Sequence, residues 1–393
     1  MSDIKQNIKK MDKILLILSI ILLVWGLLSI VSASSRVAVL DHDRPVYYYF
    51  VKQSLMTIAG LIGAFIVINI PTKKYLPWAR LAFTVVLVIL LVLSFTGSAK
   101  RGAQNWIKIG FFTFQPSEFA KPIIIVYLSL FFDKYVKKLR SNETNPTLLA
   151  LTVFIGCFIP LIVFFQKDFG TMLIMISVFF VMFYGSPIKK IDKLRMTIIM
   201  IILVILGSLI LVSKQGSILS KAQLSRFDFF NPCSKYESGG YQICNGFIAI
   251  NDGGLFGLGL GKSKQKYSYI PEPHTDSIFA IISEENGFIR SSVIIILYIL
   301  LIFRILLLSC RASTIRGKFI CLGVATYIFM HVFINLGGLF GIIPLTGVPL
   351  PFFSYGGSFA ICLIVSLGLV QRVYIENNLR RISWIKRVWL LLN

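Results

Sequence analysis

The chain has 393 residues, 56% of them hydrophobic and only 15% charged, and its mean hydropathy is +0.79. A soluble globular domain of this length carries far more charge and is excluded. A formal net charge of +23 invites a nucleic-acid partner, but the positions of the basic residues exclude that as well.

In chain order, apolar spans fall near residues 14–34, 50–71, 75–96, 116–133, 147–166, 169–186, 196–214, 276–306, 317–341 and 353–374. Each is long enough, or nearly so, to cross a hydrocarbon core of roughly 30 Å as a helix. Basic residues fill every second connection. Lys5, Lys9, Lys10 and Lys13 precede the first span, and Lys73 and Lys74 follow the second. Lys134, Lys137, Lys138 and Arg140, then Lys189, Lys190, Lys193 and Arg195, then Arg311, Arg316 and Lys318 continue the series, which Arg380, Arg381, Lys386 and Arg387 close. The positive-inside rule makes these segments cytoplasmic, and their cations suit anionic lipid headgroups. The expectation is an all-α integral membrane protein with about ten transmembrane helices and both termini cytoplasmic. It forms one polytopic domain over residues 1–393, with a large extracytoplasmic loop at about 214–275 between helices 7 and 8. The first apolar run ends in small residues, Ser32–Ser35, as a secretory signal does, but it is too long for one and reads as an uncleaved helix. Among six cysteines, Cys157, Cys310, Cys321 and Cys362 lie in or beside spans. Cys233 and Cys244 share the long loop, where spacing alone leaves a disulfide open.

The polar motifs also run in order. KRGAQNWIKIGFFTFQPSEFAK (Lys100–Lys121) puts Pro116 in the first turn of a helix and Glu118 near its positive end. Glu118 and Lys121 stand at i,i+3 and can pair. They read either as a structural ion pair closing the outer end of a span or, with Arg101, as a charged wall for an anionic headgroup, because ionisable groups in spans are costly. In QKDFG (Gln166–Gly170), Asp168 reads first as the cap of the next helix through the Thr171 amide.

GGLFGLGLGKS (Gly253–Ser263) looks like a phosphate-binding loop, but Phe256 stands where a P-loop needs glycine and no buried strand precedes it. Its glycines permit tight turns and close approach to a membrane surface or ligand, and Lys262, Lys264 and Lys266 give that edge a positive field. The stretch NGFIAINDGGLFGLGL suggests short amphipathic helices at the membrane interface. In IPEPHTDSIFAIISEE (Ile270–Glu285), Pro271 and Pro273 hold the chain extended before a helix that begins at His274 or Thr275. Asp276, Ala280, Ser283 and Gly287 then share one face. Asp276 reads either as a helix-capping anion or as a general base where lipid meets water, while Glu284 and Glu285 read as structurally paired. NLGGLFGIIPLTGVPLPFFSYGGS (Asn335–Ser358) has too many prolines and glycines for one helix. Irregular backbone at membrane depth must be surrounded by protein or line a cavity, so Asn335, Ser354, Tyr355 and Ser358 offer polar contacts there.

At these motifs the chain resembles the SEDS family (shape, elongation, division and sporulation; the FtsW, RodA and SpoVE group). Gly102–Lys121, Tyr241–Phe288 and Pro344–Ser358 carry the resemblance, and YIPEPHTD with the paired glutamates is most similar to division-type members of Gram-positive bacteria. The resemblance implies a peptidoglycan glycosyltransferase that polymerises lipid II on the outer face of the bacterial plasma membrane, at the septum for a division member. Asp276, in HTD, becomes the catalytic base. Arg101, Lys121, Arg226 and Lys262 are candidate cations for the departing diphosphate, a task that a divalent cation (Mg or Mn) could share; no ligand cluster in the sequence demands a metal. Gln115, Ser117, Glu118, Asp168, His274, Thr275, Asn335, Ser354, Tyr355, Gly356, Gly357 and Ser358 become substrate contacts. Implied partners are lipid II, a class B penicillin-binding protein, and divisome or elongasome proteins. The chain departs from the family pattern at Lys167, Ser277, Asn286 and Arg290. Two other readings are a lipid II flippase and a non-catalytic scaffold for the penicillin-binding protein.

Overall fold

The computed structural model of the protein describes residues 7, 9–41, 43–96, 106–109, 112–141, 145–215, 231–235, 240–267 and 269–392. Among them eleven α-helices follow in order: α1 (Lys13–Arg36), α2 (Tyr48–Asn69), α3 (Tyr75–Thr96), α4 (Pro116–Arg140), α5 (Pro146–Phe165), α6 (Phe169–Gly185), α7 (Lys190–Gln215), α8 (Tyr241–Gly253), α9 (Ile278–Cys310), α10 (Ile315–Leu339) and α11 (Gly357–Leu392). A two-stranded antiparallel hairpin, β1 (Ile107–Ile109) and β2 (Phe112–Phe114), precedes α4 with Ile107 opposite Phe114. Each of the ten expected spans has a helix in its place, and among the described residues seven helices are long and apolar enough to cross a membrane. Helix α6 is apolar but spans only 17 residues, and α4 carries buried charge. The eleventh helix, α8, lies in the expected large loop.

Local signals start these helices where the backbone amides would otherwise lack partners. Asp12 caps α1 through Leu15 N, Asn145 caps α5 through Leu148 N, and Thr314 caps α10 through Gly317 N. Asp12 also binds Arg304 of α9 at 2.5 Å and exchanges two hydrogen bonds with Gln371 of α11, tying three helices at one end of the bundle. At the same end Arg316 bonds Asp133 at 2.7 Å and Thr72 at 2.8 Å, and Glu376 takes Thr72 and Arg372. Of the seven apolar spans, α10 and α11 are the most enclosed, 72% and 83% buried, against 28% for α2 and α3. The exposed faces are apolar (Ile17 and Leu28 on α1, Leu61 on α2, Phe95 on α3), as lipid-facing surfaces must be.

Helix α9 is broken at Gly287, where φ is 77° and ψ 176°. The glycine-rich loop after α8 docks into the break. Leu258 N and Gly259 N donate to the Glu284 and Glu285 carbonyls at 2.9 and 3.0 Å, while Phe288 N and Ile289 N donate to Gly254 O and Leu255 O at 2.8 and 3.2 Å. Backbone groups freed by the break are thus satisfied by the loop, as burial requires. The continuous face expected from Asp276 through Gly287 therefore does not exist, and Arg290 belongs to a separate, redirected segment. Before the glycine-rich loop, Cys233 and Cys244 form a disulfide that joins a short 3-10 turn (Pro232–Lys235) to α8. A β-carbon at Gly287 would stand 2.3 Å from Gly257 N, whereas one at Gly254, φ 53°, meets no described residue within 4 Å. Gly254→Ala should carry only the backbone strain, about 1–3 kcal/mol. Gly287→Ala adds a backbone clash, and should show the larger fall in melting temperature by thermal shift in detergent.

Candidate functional site

The site is built around a turn, Pro271–Ser277, that packs on the loop between α10 and α11. Three consecutive carbonyls of this turn are taken by donors from elsewhere. Tyr355 N donates to His274 O at 2.8 Å, Ser354 Oγ to Thr275 O at 2.5 Å, and Asn335 Nδ2 to Asp276 O at 2.7 Å. Helix α9 consequently starts at Ile278, not at His274 or Thr275, and Asp276 sits in the turn before it. Asn335 also donates to Val348 O at 2.8 Å, and Leu350 N donates to Ser354 Oγ at 2.8 Å, so the α10–α11 loop is fixed by the residues that hold the turn. The loop in turn lies on α1 at Gly26, where a β-carbon would come within 2.1 Å of Phe352 O. Only a residue without one lets the backbones approach so closely.

Asp276 is 8% exposed. Its Oδ1 accepts from Thr275 Oγ at 3.1 Å and from Gln242 Nε2 of α8 at 3.4 Å, and Gly347 lies beside Oδ2. Gln242 also donates to Ser277 Oγ at 2.8 Å, so one of the departures from the family pattern is buried as a partner of α8. His274 packs between Tyr49 and Tyr355, with ring centroids 4.4 and 5.6 Å away. Burial, with Tyr48 a second contributor, pushes the Tyr355 hydroxyl up to about 12, which keeps it protonated through the physiological range. The Gly356 amide donates to Gln53 of α2 at 3.2 Å, and Gly357 opens α11.

A second polar group lies deeper. Lys121 Nζ stands 2.7 Å from Glu118 Oε1 and 3.1 Å from His331 Nε2 on α10, and His331 Nδ1 is 3.1 Å from Pro349 O. All three side chains are essentially inaccessible, and among the described residues no hydrogen-bond partner reaches the buried Glu118 Oε2 or the neighbouring Ser117 Oγ. Asp168 caps α6 through Thr171 N at 3.1 Å and accepts from Gln115 Nε2 at 3.0 Å. The Gln115 amide donates to Ser358 Oγ at 3.1 Å, which connects α4, α6 and α11. Between α2, α3, α4 and α11 is an apolar cavity of about 460 Å³, whose lining includes Phe119 and Pro122 from the turn that carries Lys121.

Among the sequence-predicted residues, Gln115, Glu118, Lys121, Asp168, His274, Thr275, Asp276, Asn335, Ser354, Tyr355, Gly356, Gly357 and Ser358 thus fall into connected hydrogen-bond and packing contacts. Lys262 is exposed on the glycine loop, where its amide bonds Gly259 O; that loop is anchored on Glu284 and Glu285. Lys266 differs from expectation. It is buried on Glu285 at 3.0 Å, with Ser32 also on that carboxylate, and contributes no open field. Arg101 and Arg226 lie outside the described residues. Gln242, Gln53, Tyr49 and His331 were not predicted. Gln242 was signalled only by its place at the start of the Tyr241–Phe288 segment that carries the family resemblance, and His331 only as an ionisable residue inside an apolar span. Among the described residues, no three His, Cys, Asp or Glu side chains cluster as a metal site.

The family described as cell cycle protein, FtsW/RodA/SpoVE, matches residues 12–379. Stage V sporulation protein E of Bacillus subtilis is 33% identical over 369 residues, covering 92% of this chain and 96% of its own. The probable peptidoglycan glycosyltransferase FtsW of the same organism is 34% identical over 391 residues, covering 96% and 95%. In fold, the chain resembles a component of a peptidoglycan synthase complex that coordinates polymerization and crosslinking, with a TM-score of 0.71 at 21% identity, covering 93% of this chain and 98% of that one. The rod shape determining protein RodA of Thermus thermophilus gives 0.65 at 24% identity, covering 93% and 97%.

The Glu118–Lys121 pair makes a sharp energetic prediction. Removing one partner of a buried ion pair strands the other charge, at about 3–5 kcal/mol, while removing both is far milder. Glu118→Gln and Lys121→Met should each lower the melting temperature in detergent, and the double variant should recover most of the loss.

Proposed function

The chain belongs to the FtsW/RodA/SpoVE family of cell cycle proteins, and on that premise we propose that it is a peptidoglycan glycosyltransferase. Its substrate is lipid II, and it acts on the outer face of the plasma membrane. The observation that carries the reading is Asp276. A carboxylate is held by its own backbone in a turn at the end of the bundle opposite the basic Lys73–Lys74 connection, with its side chain aimed beside a glycine. The alternating basic segments make this the extracytoplasmic end.

Asp276 takes the proton from the 4-hydroxyl of the acceptor's terminal sugar. That oxygen attacks the anomeric carbon of the donor with inversion, and the bond to undecaprenyl diphosphate breaks. One carboxylate suffices because diphosphate leaves readily without a general acid. A positioned base contributes on the order of 10²–10⁴-fold. Its orientation by Thr275 and Gln242 serves that role, and Asn335 and Ser354 fix the backbone beneath it. Arg101, Arg226 and Lys262 are assigned to the developing diphosphate charge. The apolar cavity between α2 and α3 suits part of a polyprenyl chain, which favours hydrocarbon contact. A partner that crosslinks the product, a class B penicillin-binding protein, accords with the synthase complex whose component this fold resembles. Divisome proteins and a septal location follow for a division member.

Purified protein given lipid II should form glycan polymer, and Asp276→Ala should reduce the rate at least a hundredfold while the variant still elutes as a folded monodisperse species. Headgroup movement across vesicles without polymer, unaffected by Asp276→Asn, would instead establish transport. Growth sustained by an Asp276→Ala chain would leave only a scaffold role.

A further inference from the structure

Resting on the glycosyltransferase reading, we infer that His331 is a positioning residue for Asp276, acting through the α10–α11 loop. Pro349 O is a carbonyl and only accepts, so His331 Nδ1, 3.1 Å away, must carry a proton and donate. In a neutral imidazole Nε2 is then the acceptor, and it faces the Lys121 ammonium, which only donates, at 3.1 Å. Both contacts are satisfied by one form of the ring, the neutral Nδ1–H tautomer. Lys121 is held to that geometry by Glu118 at 2.7 Å. The ring plane is set independently, stacked on Phe359 at 4.5 Å and edge-on to Tyr327 at 4.9 Å.

The chain of contacts continues to the base. His331 and Asn335 are one helical turn apart on α10 and so share a face. They hold adjacent carbonyls of the loop, Pro349 and Val348, and Asn335 also holds Asp276 O. The residue after Pro349, Leu350, donates to Ser354 Oγ, which donates to Thr275 O. His331 therefore sets the loop position that sets the turn, and it transmits the placement of the Lys121 charge to the backbone of Asp276. An apolar side chain of similar volume would fill the space but leave Pro349 O without its donor and Lys121 without its second acceptor. Glutamine carries an amide donor and a carbonyl acceptor at its end and can serve both.

The test compares His331→Phe with His331→Gln. With lipid II as substrate, His331→Phe should lower kcat on the order of tenfold to a hundredfold, the scale of a misplaced catalytic group, with KM within about threefold. His331→Gln should stay within about threefold of the parent in both. Hydrogen–deuterium exchange on the same proteins gives a readout independent of turnover. Peptides covering 346–356 and 272–278 should exchange faster in His331→Phe than in the parent or in His331→Gln, while α5–α6 peptides stay unchanged. Parental kcat in His331→Phe, equal impairment of both variants, or unchanged exchange in the two segments would overturn the inference. If the parent makes no polymer, the glycosyltransferase reading fails, and the exchange experiment still decides whether His331 positions the turn.

Discussion

Three adjacent carbonyls, those of His274, Thr275 and Asp276, bind donors from outside their own turn, and the arrangement of the whole end of the bundle depends on that. A helix beginning at His274 would offer those carbonyls to amides four residues on. Here Tyr355, Ser354 and Asn335 take them first. Each such bond, buried, is costly to leave unmade, at about 1–3 kcal/mol per orphaned group, so turn, α10 and loop stabilise one another as a unit. The acid at 276 is thereby separated from the helix that follows it and fixed by main chain on both sides. Its side chain needs only the Thr275 hydroxyl and the Gln242 amide to be oriented.

The apolar segments were legible in the sequence because lipid-facing helices advertise themselves by hydropathy, and ten expected spans met ten helices. The irregular backbone between α10 and α11 was legible for a related reason: Pro344, Pro349 and Pro351 cannot sit in a continuous helix. The start and the break of α9 were not. The period of Asp276, Ala280, Ser283 and Gly287 fits a helix well, and local propensity carries no record of carbonyls claimed by residues 59 to 81 positions away. His331 escaped for the same reason. An isolated histidine in an apolar span says nothing of a lysine 210 positions earlier.

The glycine-rich segment shows how a motif can be half right. Its backbone does cradle an anion, as loops of this composition do, but the anion is the protein's own. Glu284 accepts from Ser263 Oγ at 2.5 Å and from the amides of Lys264 and Gln265. Glu285 accepts from Lys266 and Ser32. The two glutamates that follow Asp276 by two helical turns therefore secure the glycine-rich loop to α9.

The ion pair inside α4 bears on how the chain enters its membrane. That helix is not among the seven helices that are long and apolar enough among the described residues to cross a bilayer on their own, and an ionisable group within a span is costly when it has no partner. Glu118 and Lys121 are only three residues apart, so α4 brings its countercharge with it and can be handed to lipid before the rest of the protein is made. His331 emerges 210 residues later. Nascent α4 thus carries its own countercharge, and the histidine contact of the lysine forms only once α10 has been synthesised.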